Sequence, residues 1–258
     1  MEDLLARAMN LAVVRGAQYA DIRAVHNVTE SVFMKNGIVE TVTLSDSVGF
    51  GVRVVADGAW GFASSQSFHG DEVDRVTDQA LKIARASARV SQTGAVDLGL
   101  PVSSQGQYTT PFEIDPLKIP IEEKIDLLAQ VDAIMKAVEG VSVRRGNLTA
   151  IREHKLFANT EGALTDQTLY EVGAGIAAMA VDEGEVQVRS YPNSHGRQQV
   201  TAGWEKVLEW DLVANAERTA AEAVQLLSAE PCPKDKITTV ILGGSQLALQ
   251  VHESCGHP

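Results

Sequence analysis

The stretch Val48-Gly-Phe-Gly-Val52 recurs in the second half of the chain as Val172-Gly-Ala-Gly-Ile176. Each copy precedes an apolar run and an acidic residue followed by glycine, at Gly58 and at Gly184. Glycines at alternate positions leave one face of a strand without side chains, so a helix or another strand can approach its backbone closely. Neither copy continues into the third glycine of a dinucleotide-binding fingerprint or into Gly-Lys-Ser/Thr, which makes a phosphate-binding loop the weaker interpretation. The recurrence therefore predicts an internal duplication built around β-structure.

Helical and β-type patterns alternate around these two stretches. The predicted helices cover residues 3–17, 71–84, 121–138 and 204–227, and the predicted strands lie within 21–65 and 141–190. Asn-Gly at 36–37 and Asp-Gly at 57–58 are typical of hairpin turns. The order helix, strands, helix thus occurs twice. We predict an α+β fold of antiparallel sheets with packed helices, in which an N-terminal domain over residues 1–230 contains the repeats 1–92 and 121–228.

Two segments interrupt this pattern. Residues 91–120 contain four prolines and many serine, threonine and glycine residues, a composition that disfavours regular pairing and predicts a linker or an extended surface strap. Residues 231–258 begin with Pro-Cys-Pro, continue into the apolar run Ile237–Leu242, which predicts a strand, and then show helical spacing up to His252. One strand and one helix cannot form a domain. We therefore expect residues 231–258 to be the truncated start of a further domain.

Composition excludes several classes of protein. The 258 residues include 45% apolar residues, enough to build a large core, and 22% charged residues without a long single-sign run. A net charge of -12 and the lack of a lysine- and arginine-rich cluster argue against direct binding of nucleic acid. No segment has the apolar length of a signal-peptide core or a membrane span. We expect a soluble cytoplasmic protein in which Cys232 and Cys255 are reduced thiols.

The strongest chemical signal is the motif His252-Glu-Ser-Cys-Gly-His257. In the shorter His-Glu-x-x-His motif, two neutral imidazoles bind zinc and the glutamate takes a proton from the attacking water. The present spacing is one residue longer, and positions i and i+5 of an α-helix differ in direction by ~140°, against ~40° for i and i+4. Both histidines can face one metal only if the backbone makes a wider turn. We predict a single π-type turn that Gly256 accommodates. The alternative is that hydrogen bonds satisfy both histidines and that Glu253 caps a helix end.

The segment Leu247–Pro258, which contains this motif, resembles the signature of the TldD/PmbA family of metallopeptidases. The opening helix, the hairpin region Lys35–Thr43 and the segment Val48–Arg53 also resemble the N-terminal domain of that family. The similarity therefore covers essentially the whole chain, although its specific part is the histidine-glutamate motif.

The resemblance implies that residues 231–258 are the truncated start of a metallopeptidase catalytic domain. It also implies that His252 and His257 bind Zn²⁺ and that Glu253 is the general base. In that family the remaining ligand is a cysteine far downstream, which this sequence does not contain, and Cys255 is the alternative candidate within the motif. Catalytic zinc usually has three protein ligands and a water, so we expect this chain to be inactive alone.

The resemblance also implies a biological setting. It predicts hydrolysis of peptide bonds in small or unfolded peptides in the cytoplasm, by a complex with a PmbA/TldE-type subunit or by a homo-oligomer. The rival hypothesis is a non-catalytic regulatory or scaffold subunit, since members of this family are also described as modulators of DNA gyrase.

Overall fold

The computed structural model describes residues 2–91, 94–101, 103–231, 234 and 237–257. Its elements are, in chain order, α1 (Glu2–Val14), β1 (Tyr19–Lys35), β2 (Ile38–Ala56), β3 (Ala59–Ser65), α2 (Gly70–Val90), β4 (Gln105–Thr109), α3 (Ile121–Lys136), β5 (Val141–Asn159), β6 (Leu164–Asp182), β7 (Glu185–Tyr191), β8 (Gln198–Val200), α4 (Glu205–Trp210), α5 (Leu212–Leu226), α6 (Gly244–Val251) and a π turn (His252–Gly256). The predicted α+β class is confirmed.

Tight turns connect the longest strands to their neighbours. Asn36-Gly37 joins β1 to β2, Asp57-Gly58 joins β2 to β3, and Glu183-Gly184 joins β6 to β7, and φ is positive at all six residues. Two successive residues with positive φ are typical of type I′ turns, whose twist matches that of the flanking strands. The antiparallel pairing of β2 with β3 and of β6 with β7 follows from these turns. The turn predictions are therefore confirmed.

The described strands pair in the order β3-β2-β1-β5-β6-β4, and β7 and β8 also pair with β6. β4 runs parallel to β6, with Gln105 opposite Leu164. The prediction that residues 91–120 avoid regular pairing was therefore wrong for β4. This strand lies between Pro101 and Pro111, so no proline removes a backbone donor within it.

The chain divides into two compact units, and each unit includes separate segments of sequence. Unit 1 comprises Met1–Glu30, Leu44–Pro111 and Ile151–Tyr170, and unit 2 comprises Ser31–Thr43, Phe112–Ala150 and Glu171–Pro258. Each unit thus takes parts of the four longest strands. The predicted boundaries at residues 1–230 and 231–258 remain a prediction.

The core of unit 1 lies between the sheet and the helices α1 and α2. Even-numbered residues of β1 and β2, among them Ile22, Val52 and Val54, are buried with Leu5 of α1 and Val76 of α2. Side chains alternate between the two faces of a strand, so the odd-numbered residues point to the opposite face. That second face of the sheet carries the groove described below.

The core of unit 2 is built from β6 with α3 and α5. Val172, Ala174 and Ile176 of β6 are completely buried in the same cluster as Val131 of α3 and Ala216 of α5. The odd-numbered residues of β6, including both glycines of the repeated stretch, therefore lie on the face away from these helices.

Two element predictions need correction. The helix expected over 204–227 is divided into α4 and α5 at Asp211, whose φ of 43° ends one helix and whose carboxylate accepts from Ala214 N at the start of the next. Residues 237–242 do not form a strand, and they are all exposed. A strand needs a hydrogen-bonded neighbour, and no described strand pairs with this run.

No described helix combines the length and the apolar character needed to cross a bilayer. Cys232 lies outside the described residues, and Cys255 is exposed and free.

Candidate metal centre

The histidine-glutamate motif lies on the predicted π turn. α6 ends at Val251, and His252–Gly256 continue it as a π-helical turn. A π turn has about one residue more per turn than an α-helix, which brings positions i and i+5 to the same side. The wider turn inferred from the spacing of the histidines is therefore observed.

The two imidazoles face each other across this turn. His252 Nε2 and His257 Nε2 are 2.9 Å apart, and the ring centroids are 4.6 Å apart with an interplanar angle of 77°. Two zinc–nitrogen bonds of ~2.0–2.1 Å at a tetrahedral angle separate the nitrogens by roughly 3.3 Å. A small side-chain rotation converts the observed separation into that value, so the pair fits a zinc ion. Without a metal, one ring can donate its Nε2–H to the other.

The remaining motif residues do not complete a ligand set. Within the described part of the chain, no three His, Cys, Asp or Glu side chains form a group that could hold a metal ion. Cys255 is exposed and does not extend the histidine pair. The structure thus brings together two nitrogen donors and leaves the replacement of the missing ligand by Cys255 without support.

Glu253 follows the first histidine and is exposed. Its carboxylate makes no hydrogen bond to a described residue, so the alternative of a capping glutamate finds no support in the described part of the chain. Its carboxylate is therefore free to bind a solvent molecule.

Gly256 does not enable the turn in the expected way. It does not have positive φ, and a Cβ built on it would lie 3.8 Å from His252 Nδ1, an ordinary van der Waals distance. The π turn therefore tolerates a side chain at this position.

Sequence reasoning missed a groove on the open face of unit 1. It has a cavity volume of about 740 Å³ and is lined by odd-numbered residues of β1 from Asp21 to Asn27, by Ser47–Gly51 and Arg53 of β2 and by Phe62 of β3. We call it the β1–β3 groove. The sequence held one signal for it, the bare backbone predicted at the glycines of Val48–Val52.

A buried carboxylate forms one end of the β1–β3 groove. Asp21 is 1% exposed and accepts two hydrogen bonds at Oδ2 from Arg53, from Nε at 3.0 Å and from Nη2 at 2.6 Å. Tyr19 donates its hydroxyl to the same oxygen at 3.0 Å. Burial, and next the negative charge of Asp21, raise the pKa of Tyr19 to about 12. The hydrogen bond to Asp21 also raises the pKa of Arg53, so this guanidinium stays charged over the ordinary pH range.

Comparison with known proteins identifies relatives of the whole chain. The family models described as PmbA/TldA metallopeptidase domain 1 and PmbA/TldA metallopeptidase central domain match residues 20–84 and 114–229. A metalloprotease of Methanothermobacter thermautotrophicus is 28% identical over 240 residues, which cover 93% of this chain and 50% of that protein. A metalloprotease TldD homolog of Buchnera aphidicola is 21% identical over 266 residues, which cover 97% of this chain and 51% of that protein. The chain thus spans about half the length of the curated relatives that it matches.

Solved structures share the fold. A Thermotoga maritima protein described as a candidate modulator of a DNA gyrase has a TM-score of 0.68 and 17% identity, over 90% of this chain and 50% of that one. TldE of Thermococcus kodakarensis has a TM-score of 0.55 and 14% identity, over 87% of this chain and 46% of that one. The two family models together cover more than half of the sequence and agree with the fold. The chain therefore belongs to the TldD/PmbA family of metallopeptidases.

Proposed function

We propose that this chain contributes the water-activating motif of a zinc-dependent peptidase. The observation that carries the proposal is the 2.9 Å approach of His252 Nε2 and His257 Nε2 on a π turn. The spacing of these histidines would direct them apart on an α-helix, so their convergence is a specific property of the turn.

The residues have distinct roles in this proposal. His252 and His257 hold the metal, and bound zinc would lower the pKa of water and polarise the peptide carbonyl. Glu253 takes the proton from the attacking water and later returns it to the leaving amine. The third protein ligand comes from outside the described residues, and the double length of the curated relatives supports that source.

The proposed substrates are small or unfolded peptides, and the proposed partner is a TldE-type subunit or a second copy of the protein. Likeness to a TldE structure supports membership in a complex of this type. We also propose a cytoplasmic location, which the free, exposed thiol of Cys255 favours because reducing compartments keep thiols unpaired.

The test is to measure bound zinc and peptide hydrolysis for the complete gene product and for Glu253→Gln. The variant should keep its zinc and lose at least about 100-fold in turnover, the usual contribution of a positioned general base. Glu230→Gln removes an exposed carboxylate elsewhere and should leave both quantities unchanged. His252→Ala and His257→Ala should each lose zinc. Parental turnover by Glu253→Gln, or a gene product free of zinc after metal-preserving purification, would contradict the proposal.

The second candidate is a non-catalytic regulatory or scaffold subunit. The observation that favours it is the pair of histidines without a third described ligand, together with the likeness to a protein described as a candidate gyrase modulator. This function predicts no bound zinc and a change in the supercoiling rate of DNA gyrase when the protein is added. The peptidase predicts zinc and no effect on supercoiling.

A further inference from the structure

The floor of the β1–β3 groove is made of backbone. Gly49 and Gly51 lie on the open face of β2, and the ring of Phe62 covers Gly51, with its Cε2 2.7 Å from an ideal Cβ there. Over Gly49 an ideal Cβ would lie 3.3 Å from Ser65 O and 3.8 Å from Gln66 Cγ, and no aromatic ring covers it. The groove therefore remains open between Gly49 and Asn27 on the neighbouring strand.

The same kind of floor in unit 2 is covered by the backbone of residues 196–197, which precede β8. An ideal Cβ on Gly175 of β6 would overlap the carbonyl oxygen of Gly196 and would lie 2.5 Å from Arg197 Cα. Asn147 of β5 donates its Nδ2 to that carbonyl oxygen at 3.5 Å, and β8 then pairs with β6 beside Gly173. A bare strand thus holds a segment of chain that runs across its surface, with an asparagine amide as one hydrogen-bond donor.

The bare strand faces of the two units carry the same types of residue at corresponding positions. Gly49 and Gly51 match Gly173 and Gly175 in the repeated stretch, and Asn27-Val-Thr29 on β1 matches Asn147-Leu-Thr149 on β5. In both units the asparagine and the glycines lie on the face away from the helices, since even-numbered residues of the same strands are in the helix-packed cores, namely Ala24, Phe50, Leu148 and Val172. In unit 2 the side chain of Asn147 donates a hydrogen bond to the main-chain carbonyl of Gly196. In both units the asparagine Oδ1 is buried without a hydrogen-bond partner among the described residues, but the Nδ2 of Asn27, unlike that of Asn147, donates to no described residue.

We infer that the β1–β3 groove binds an extended acidic peptide segment, in the way that the floor of unit 2 binds residues 196–197. Asn27 donates to a peptide carbonyl, and the bare backbone at Gly49 lets the peptide main chain approach. This site is separate from the metal-binding motif in its residues and does not depend on zinc.

Charge determines the preference for acidic side chains. The groove contains two guanidinium groups, Arg23 and Arg53, and one carboxylate, Asp21, which Arg53 already pairs. Arg23 is exposed, and its described contact is with the ring of Phe157, at 5.2 Å from the centroid. In a chain of net charge -12, this leaves a local positive charge available to a carboxylate of the bound peptide.

The test is calorimetric titration of the whole chain with a capped octapeptide of alternating glutamate and threonine, in the presence of a chelator that keeps the metal motif empty. The matched probe has glutamine in place of glutamate. We expect the acidic peptide to bind about fivefold to tenfold more tightly than the glutamine peptide at low salt. Arg23→Gln should abolish that difference, because it removes the unpaired cation.

Two further variants test the backbone contacts. Gly49→Val places a side chain on the bare backbone of the groove and should weaken the binding of both peptides at least about tenfold. Asn27→Ala removes the hydrogen-bond donor without adding volume and should weaken the binding of both peptides about threefold to tenfold. Arg89→Gln, an exposed charge change on α2, is the control and should bind like the parent. Thermal unfolding of each variant checks that the fold is retained.

The inference is overturned if the parent chain binds neither peptide at millimolar concentration, or if Arg23→Gln and Asn27→Ala both bind like the parent. Because the metal motif is empty throughout, loss of peptidase activity in the complete gene product would leave this result unaffected.

Discussion

Alanine substitution of two matched glycines, Gly175 and Gly51, should change the stability of the protein by very different amounts. Gly175→Ala places a methyl group against the backbone of Gly196 and Arg197, whereas Gly51→Ala places it against the ring of Phe62. The backbone of residues 196–197 is continuous with β8 and cannot shift without disturbing that strand, but the side chain of Phe62 is 55% exposed and can rotate into another rotamer. We therefore expect Gly175→Ala to destabilise the protein and Gly51→Ala to have little effect.

The size of each stability change follows from the atoms that the added methyl group displaces. Overpacking alone costs about 1–3 kcal/mol, and lifting residues 196–197 also weakens the Asn147–Gly196 hydrogen bond and the pairing of β8, each bond contributing about 0.5–1.5 kcal/mol. The expected loss in the free energy of unfolding for Gly175→Ala is about 2–4 kcal/mol. For Gly51→Ala the expected change is within about 1 kcal/mol, since alanine is preferred to glycine inside a strand.

Urea unfolding followed by circular dichroism and tryptophan fluorescence measures both variants. Trp60 lies in unit 1, and Trp204 and Trp210 lie in unit 2, so the fluorescence shows which unit loses stability. For a chain of this size the loss expected for Gly175→Ala corresponds to a decrease in Tm of about 4–16 °C. Gly106→Ala is the control, because an ideal Cβ there meets no atom within 4 Å. Equal destabilisation by Gly51→Ala and Gly175→Ala, or a stable Gly175→Ala variant, would refute the reasoning.

Three further predictions concern other parts of the chain. Asp132→Ala should lower the free energy of unfolding, measured by urea titration, by about 3–5 kcal/mol. The reason is that it leaves the guanidinium of Arg144, whose side chain is 10% exposed, without its carboxylate partner. A change below about 1 kcal/mol would contradict this. Tyr19 has a raised pKa of about 12 from burial and a neighbouring carboxylate, so the protein should lose stability as the pH rises from about 10, where the unfolded phenol ionises, to about 12. Absorbance titration at alkaline pH should show one late phenol ionisation that Tyr19→Phe removes, and four tyrosines that ionise together would rule this out. Gly256→Ala should bind zinc like the parent in a competition assay, since its methyl group would make an ordinary contact with His252, and loss of binding would show that the turn needs glycine.

Local chemistry explains what the sequence predicted correctly. Asn36-Gly37 and Asp57-Gly58 form the expected turns because asparagine, aspartate and glycine adopt positive φ at low energetic cost. The π turn at the histidine-glutamate motif follows from one spacing and one rule about helical geometry. In both cases the decisive residues are close in sequence.

The missed features depend on residues that are far apart. Asp21 and Arg53 are 32 positions apart, and only the register of β1 against β2 brings them into contact. β4 pairs with β6 because residues 105–109 reach a strand edge, which proline and serine content could not indicate. The run Ile237–Leu242 shows the converse error, since apolar character predicted a strand for which the described chain supplies no neighbour.

The π turn forms although every residue from Gly243 to His257 is exposed. The convergence of the two imidazoles is therefore encoded by the local segment and needs no packing against the rest of the described chain. Two imidazoles bind zinc weakly, so a third ligand supplied from elsewhere should increase the affinity by a factor of ten for each 1.4 kcal/mol that it contributes. The ratio of the zinc affinity of the complete gene product to that of residues 1–258 measures this contribution directly. A ratio near one would mean that the third ligand is absent from the complete protein as well.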